Sequence, residues 1–315
     1  MVKTGLRRRL QFLILRNLLS KSFFSLLLTS LFFLPGSVFA NWSPLIDRLA
    51  ADGFDESSLR DLFARPEVKF EPASMMTKLD ELSKYSGKRP SGSPSYNPKN
   101  VYKGLLREKV INRARSYIRE NTELLESVSS QYCVPKEVVV SILLIETRLG
   151  DSVGGRSAFN SLASMALCSD YDALKPYLSR KLRSKNESWA REICKRKGDW
   201  AYGELKALLH YAHWSGFDPL SLPGSIYGAI GMCQFMPSNI LPFAVDADQD
   251  GRIDLFEKAD ALFSIASYLS GHGWNYAADK GGQFRVILDY NRSSVYANTV
   301  LTVADQLKDR SRVKR

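Results

Sequence analysis

The chain has 315 residues, 44% hydrophobic and 24% charged, with a formal net charge of +11. That length suits one large domain or two small ones, and the balance excludes collagen, coiled coil and wholesale disorder. Six of the basic side chains fall in residues 1–40, which hold no acidic one, so the remainder carries +5; this is too weak to argue for nucleic acid and suits an acidic polymer or an anionic membrane.

The first forty residues read as an address. Basic residues run from Lys3 to Lys21, and an apolar stretch from Phe23 to Leu34 is broken only by Ser and Thr. Pro35-Gly36 follows, and Val38-Phe39-Ala40 resembles an A-x-A cleavage site. This is the order of a secretory signal, so the mature chain is expected to begin near Asn41, outside the cytoplasm. The alternative is an uncleaved anchor: Ser22–Ala40 is uncharged for 19 residues, close to the ~20 that a spanning helix needs. Pro35-Gly36 interrupts it, and membrane association follows only if cleavage fails.

Residues 41–85 predict an amphipathic helical segment, with Leu45, Ile46 and Leu49 on one face and Leu59, Leu62 and Phe63 on another. Residues 86–100 hold Gly87, Pro90, Gly92, Pro94 and Pro98, and read as a linker. From 101 to 150 the spacing is helical again, through Leu105, Val110, Ile111, Ile118, Leu124, Leu125 and Val128. Residues 173–214 add helical segments whose basic middle (Arg180, Lys181, Arg183, Lys185) reads as a solvated face. Residues 218–254 are irregular. A last clear helix spans 259–269, before a short tail segment and a frayed basic tail over 306–315. The class is mostly α, with the main domain over 101–305.

Cys133, Cys168, Cys194 and Cys233 form no C-x-x-C, so a zinc site has no support. Export permits disulfides. Of the three possible pairings, Cys168–Cys194 is favoured, because the two flank the polar, basic insert.

One helix carries chemistry. Pro135 suits its first turn, and Gly150 suits its end. Val138, Val139, Val140, Ile142, Leu143, Leu144, Ile145 and Leu149 make it apolar all round, hence buried. Glu146 sits in its last turn. Burial and the negative end of the helix dipole both disfavour the carboxylate and raise its pKa. A carboxyl that stays protonated near neutrality is what a glycosidic general acid requires. Arg148 lies at i+2 and points away.

The stretch Ser141-Ile-Leu-Leu-Ile-Glu146-Thr-Arg-Leu-Gly150 resembles the E-T-R-x-G helix of lytic murein transglycosylases of the membrane-bound B type. The likeness continues through Gly228-Ala-Ile-Gly-Met-Cys-Gln234-Phe-Met-Pro-Ser238, Ala244-Val-Asp246, Ser267-Tyr268, His272-Gly273-Trp274 and Tyr290-Asn291-Arg-Ser293, covering about residues 100–305 in order. The resemblance implies a goose-lysozyme-like helical domain that cleaves the β-1,4 bond between N-acetylmuramic acid and N-acetylglucosamine without water. The product would carry a 1,6-anhydro ring, and the protein would act in the periplasm as a monomer on peptidoglycan glycan strands, with no organic cofactor. It further implies Glu146 as the single acid and base, Ser225 facing it, and Gln234, Tyr268, Tyr290, Asn291 and Tyr296 as the groove around the cleaved bond. Cys233 stands where the family has glycine, and Met232 where an aromatic is common.

Asp246-Ala-Asp248-Gln-Asp250-Gly251-Arg252-Ile253-Asp254-Leu-Phe-Glu257 fits D-x-D-x-D-G-x5-E without mismatch. Carboxylates at positions 1, 3 and 5, Arg252 at the main-chain position 7 and Glu257 at position 12 match Ca²⁺ coordination. The family resemblance offers Asp260, three residues later, as an alternative closing ligand. The loop is single and EF-hand-like, so the metal is expected to be structural. His210 and His213, at i and i+3, lack a third ligand and read as core or surface.

Two other functions compete. A hydrolase on the same fold needs a second carboxylate to activate water, and Asp151 or Asp170 would have to supply it. A non-catalytic, calcium-stabilised cell-wall scaffold would leave Glu146 unused.

Overall fold

In the computed structural model, the described residues are 41–85, 94–183, 186–274 and 279–308. The expected signal segment (1–40), the first half of the linker and the tail beyond Lys308 lie outside them. The described residues belong to one compact unit that begins at Ala40.

Three short helices open it: α1 (Ser43–Ala51), α2 (Glu56–Ala64) and α3 (Ala73–Tyr85). Then come α4 (Glu108–Glu120), α5 (Thr122–Tyr132), α6 (Lys136–Thr147), α7 (Ala158–Leu167) and the 28-residue α8 (Glu187–Trp214). The chain closes with α9 (Lys258–Gly271), α10 (Lys280–Tyr290) and α11 (Ser294–Lys308). Starts are set by side-chain caps that satisfy open N–H groups: Asp55 accepts from Ser58 N–H, Ser157 from Asn160 N–H, Asn186 from Trp189 N–H, and Asp279 from Gly282 N–H.

Two helix pairs form the core. Helix α7 is buried along nine of its ten residues and lies against α8; α6, apolar on every side, lies against α11. Helices α1 and α3 pack on α7, and α3 also on α8, so residues 41–85 share the core of the main body. Polar ties reinforce this: Lys69 and Glu71 donate their N–H groups to Asn160 and Ser164, and Arg65 grips Asp218 with two bonds of 2.9 and 2.8 Å. The second half of the linker is pinned to α11, where Asn298 accepts from Asn97 N–H and donates to Asn100 O.

Three expectations are corrected. The stretch after 269 holds two full helices rather than a short tail segment. Gly281-Gly282 and the break at Asn291-Arg292 interrupt the periodicity, and burial of Val300, Leu301, Val303 and Ala304 against α6 makes α11 helical. The catalytic helix ends at Thr147, earlier than Gly150. Arg148, Leu149 and Gly150 then take left-handed φ values of 55°, 68° and 96° in succession. The Cys168–Cys194 bond is not formed, and all four thiols are free. Cys168, at the end of α7, and Cys194, on α8, are both buried; burial pushes the Cys194 thiol up to about 12, and burial and Cys194 raise Cys168 further. Packing between the two helices holds this region without a staple.

Among the described residues the only sheet is a two-residue antiparallel ladder that pairs Arg156 with Gly224 and Ser157 with Pro223. Gly154 has φ +102°, and a Cβ there would lie 2.4 Å from Gly224 O, so only glycine permits this crossing. No single described helix is long and apolar enough to cross a membrane.

Candidate active site

Glu146 occupies the last turn of α6, half-buried. Its Oε1 accepts a 2.6 Å hydrogen bond from the Tyr296 phenol of α11. Burial pushes its pKa from 4.5 up to about 7, and the Tyr296 bond, by favouring the carboxylate, holds it from rising further. A carboxyl at this value can release a proton and recover it near neutral pH.

The turn after Glu146 is tied to the glycine-rich segment that follows the Pro223–Gly224 strand. Thr147 Oγ1 donates to Met232 O at 2.9 Å and accepts from Gly150 N–H at 3.1 Å. Met232 N–H in turn donates to Leu255 O, beside the acidic loop. The approach is close enough that a Cβ on Gly150 would meet Met232 Cε at 2.4 Å, and one on Gly231 would meet Leu255 Cβ at 2.4 Å. Glu146, the Gly228–Ser238 segment and the acidic loop are therefore held together through Thr147, Met232 and Leu255.

The residues expected around the cleaved bond come together in part. Gln234 adopts φ 52°, and its amide NH₂ donates to Val153 O and Gly231 O. Tyr290 donates to Cys233 O at 2.5 Å, and its ring lies parallel to Tyr296 at 6.4 Å. Burial and the nearby Cys233 and Glu146 keep its phenol protonated. Asn291 ends α10 with an exposed side chain. Tyr268 plays a supporting part: buried, donating to Asp289 O, it stacks on His272 at 4.0 Å and packs edge-on to Tyr290 at 4.9 Å. Ser225 has a local role in its own turn. Its Oγ accepts from Tyr227 N–H and Ala229 N–H and closes a turn, where it bonds backbone rather than Glu146.

Neither proposed second carboxylate joins Glu146. Asp151 is paired with Arg113 at 2.6 Å on the surface, and Asp170 caps a helical turn by accepting from Asp172 N–H.

In the acidic loop, Asp246, Asp248 and Asp260 bring carboxylate oxygens within 4.8 Å of one another, the only such group among the described residues. Asp250 and Glu257 fall outside it, and Glu257 instead precedes α9 as its N-cap residue. Asp260 is buried and accepts from Ala247 N–H and Asp254 N–H; burial raises its pKa, as do the charges of Asp248 and Asp246. Asp246 Oδ1 is buried with no hydrogen-bond partner. An orphaned carboxylate oxygen facing two more carboxylates fits a hard cation that takes oxygen ligands. Arg252 follows in the loop, its N–H held by Asp250 Oδ1. His210 lies between Phe54 and Trp214, a ring stack rather than a metal site.

Thr147 and Glu204 were not singled out in the sequence. Glu204, buried on α8, accepts from both Ser238 N–H and Ser238 Oγ at 2.9 Å and anchors the end of the segment that carries Gln234. The E-T-R run contains Thr147, but a threonine at a helix end reads as ordinary capping chemistry; Glu204 lies in a helix with no local signal.

The mostly helical body, with one raised carboxyl at the end of a buried helix, gives the protein the lysozyme-like fold of solved lytic transglycosylases. It belongs to the transglycosylase SLT domain family, whose model matches residues 38–283. It is 26% identical over 235 residues to membrane-bound lytic murein transglycosylase B of Escherichia coli K12, over 74% of this chain. It spans 57% of the length of that relative. The fold is similar to that of the E. coli lytic transglycosylase Slt35 in complex with calcium, at TM-score 0.64 and 21% identity over 86% of this chain and 93% of that one. It is also similar to SltB3 from Pseudomonas aeruginosa in complex with NAG-NAM-pentapeptide, at TM-score 0.63 and 22% identity over 87% and 80% of the two chains.

Proposed function

We propose that this protein is an exported lytic transglycosylase that cleaves the β-1,4 bond between N-acetylmuramic acid and N-acetylglucosamine in peptidoglycan. The observation that carries this reading is Glu146, a carboxyl raised to about 7 whose one side-chain hydrogen-bond partner among the described residues is the Tyr296 phenol. Glu146 donates its proton to the glycosidic oxygen as the bond to the muramyl C1 breaks. The muramyl C6 hydroxyl then attacks C1 and returns its proton to Glu146, closing the 1,6-anhydro ring. With Asp151 and Asp170 both engaged away from Glu146, the tethered hydroxyl is the favoured nucleophile, and an intramolecular reactant carries a large entropic advantage. Gln234, whose amide NH₂ is held by two carbonyls, offers its oxygen to sugar substituents. Tyr290 and Asn291 form the opposite wall, and Tyr268 supports Tyr290.

The same reading assigns residues 1–40 as the export signal and the periplasm as the site of action. A structural Ca²⁺ would be held by Asp246, Asp248 and Asp260, with the Arg252 carbonyl a further candidate from its place in the motif alone. It supplies charge neutralisation for the acidic loop, which braces the Gln234 segment through Leu255.

The test is mass spectrometry of purified sacculi digested by the protein. Muropeptides lighter by one water, without a reducing muramic acid end, are expected. Predominantly reducing ends would assign a hydrolase; no cleavage would leave a cell-wall-binding scaffold.

A further inference from the structure

We propose that the protein carries a second carbohydrate site, separate from the Glu146 site, that holds N-acetylhexosamine units of a glycan strand. The inference rests on the peptidoglycan substrate proposed above. The site is a cavity of about 310 Å³ between the turn after α1, the last turns of α8 and the segment around Leu241. That volume lies at the low end of the ~300–1,000 Å³ of ligand pockets, the scale of one or two sugar rings.

Its wall is a series of rings. Phe54 lies 4.8 Å from His210, and His210 stacks on Trp214 at 5.6 Å with an interplanar angle of 20°. Trp214 ends α8 with 56% of its surface exposed, and Leu241 across the cavity is 73% exposed. Two large apolar side chains left open at the mouth of one cavity mark a binding surface rather than scattered exposure. One end of the cavity is polar. Lys206 is bonded to Asp52 at 2.7 Å, and Asp52 also accepts from Tyr202 OH at 2.9 Å.

This combination selects the ligand. The exposed ring of Trp214, backed by His210, offers an apolar surface to the C–H face of a pyranose ring, and the acetamido methyl suits the remaining apolar lining. Lys206 supplies donors and Asp52 acceptors for the ring hydroxyls, already fixed in place by their mutual bond. As the pair is neutral in sum, it favours an uncharged sugar over a phosphate or a carboxylate. The cavity also adjoins the catalytic segment: Pro237 and Ser238, three and four residues after Gln234, line it, and Glu204 of α8 accepts two hydrogen bonds from Ser238. A strand held at this site stays at high local concentration beside the catalytic segment, as expected for two linked sites on one polymer.

The experiment compares wild type, Trp214→Ala and Trp214→Phe in the full protein. Chitotriose is titrated while the indole N–H resonances are followed by NMR, and co-sedimentation with purified sacculi is measured alongside turnover of a short soluble muramyl glycan. The Trp214 resonance should shift with chitotriose. Trp214→Ala should weaken sacculus binding by about five- to twentyfold, the effect of losing one aromatic anchor, while Trp214→Phe keeps most of it and soluble-substrate turnover stays unchanged. Wild-type binding by Trp214→Ala, or a Trp214 indole that ignores chitotriose, overturns the proposal. So does a Trp214→Ala change confined to self-association in sedimentation equilibrium. If sacculi yield no anhydro products yet Trp214→Ala still loses binding, the catalytic reading fails and the second site stands.

Discussion

Replacing Glu146 with Gln should make the protein inactive and, in alkaline solution, more stable. Folded Glu146 keeps its proton up to about pH 7, whereas in the unfolded chain it releases it near 4.5. Between those values the folded state binds more protons than the unfolded one, so stability falls as pH rises. The penalty is absent below 4.5 and complete above 7. At 1.36 kcal/mol per pH unit it reaches about 3 kcal/mol, the cost of charging a carboxyl in a poorly solvated site. Glutamine keeps the oxygen that accepts from Tyr296 and never takes a charge. At pH 8 the variant should therefore gain up to about 3 kcal/mol, or roughly 5–10 °C in Tm, and at pH 4.5 the gain should vanish. Calorimetry of both proteins from pH 4.5 to 8 reads this directly. In parallel, release of soluble muropeptides should fall by ~10²–10⁴-fold, the usual contribution of a general acid–base group. A stability difference that ignores pH would refute the raised pKa, and more than about a tenth of wild-type turnover would refute the catalytic assignment.

Three further perturbations probe the surroundings. Tyr296→Phe removes the bond that favours the Glu146 carboxylate; a hydrogen bond to a charged group contributes about 1.5–3 kcal/mol, so the alkaline limb of the pH–rate profile should move up by about one unit or more, and a downward move would contradict the geometry. Thr147→Val leaves the buried Met232 O and Gly150 N–H without their partner, and urea denaturation should show a loss of about 1–3 kcal/mol. Calcium at a hundredfold excess over its Kd should stabilise the protein by about 2.7 kcal/mol; chelator should lower Tm, Asp246→Ala should abolish that response, and a melting curve indifferent to chelator would remove the metal from the proposal.

The raised pKa of Glu146 was legible from its neighbours; its catalytic assignment needed the family resemblance. An all-apolar helix announces burial, and a carboxyl in its last turn must then have a raised pKa; the structure puts the value near 7 and names burial as the cause. The carboxylate spacing of 246–257 likewise marked the acidic loop, because loop ligands are set by local turns. What the sequence left open depends on parts of the chain distant from one another. Tyr296 was named beside the cleaved bond by family resemblance, but its bond to Glu146 spans 150 residues and exists because α11 packs along α6. Asp260 joins Asp246 and Asp248 where Glu257 does not, since the start of α9 turns Asp260 inward toward Ala247 and Asp254. Ser225 matched a motif, but that its oxygen also accepts two N–H groups of the turn it closes was not written there. The cavity beside Trp214 has no motif at all, because its wall is assembled from α1's exit, α8 and the residues after Gln234. Periodicity and ligand spacing act over a few residues and are written in order along the chain; the partners of a buried polar atom are chosen by packing, which only the folded arrangement of helices decides.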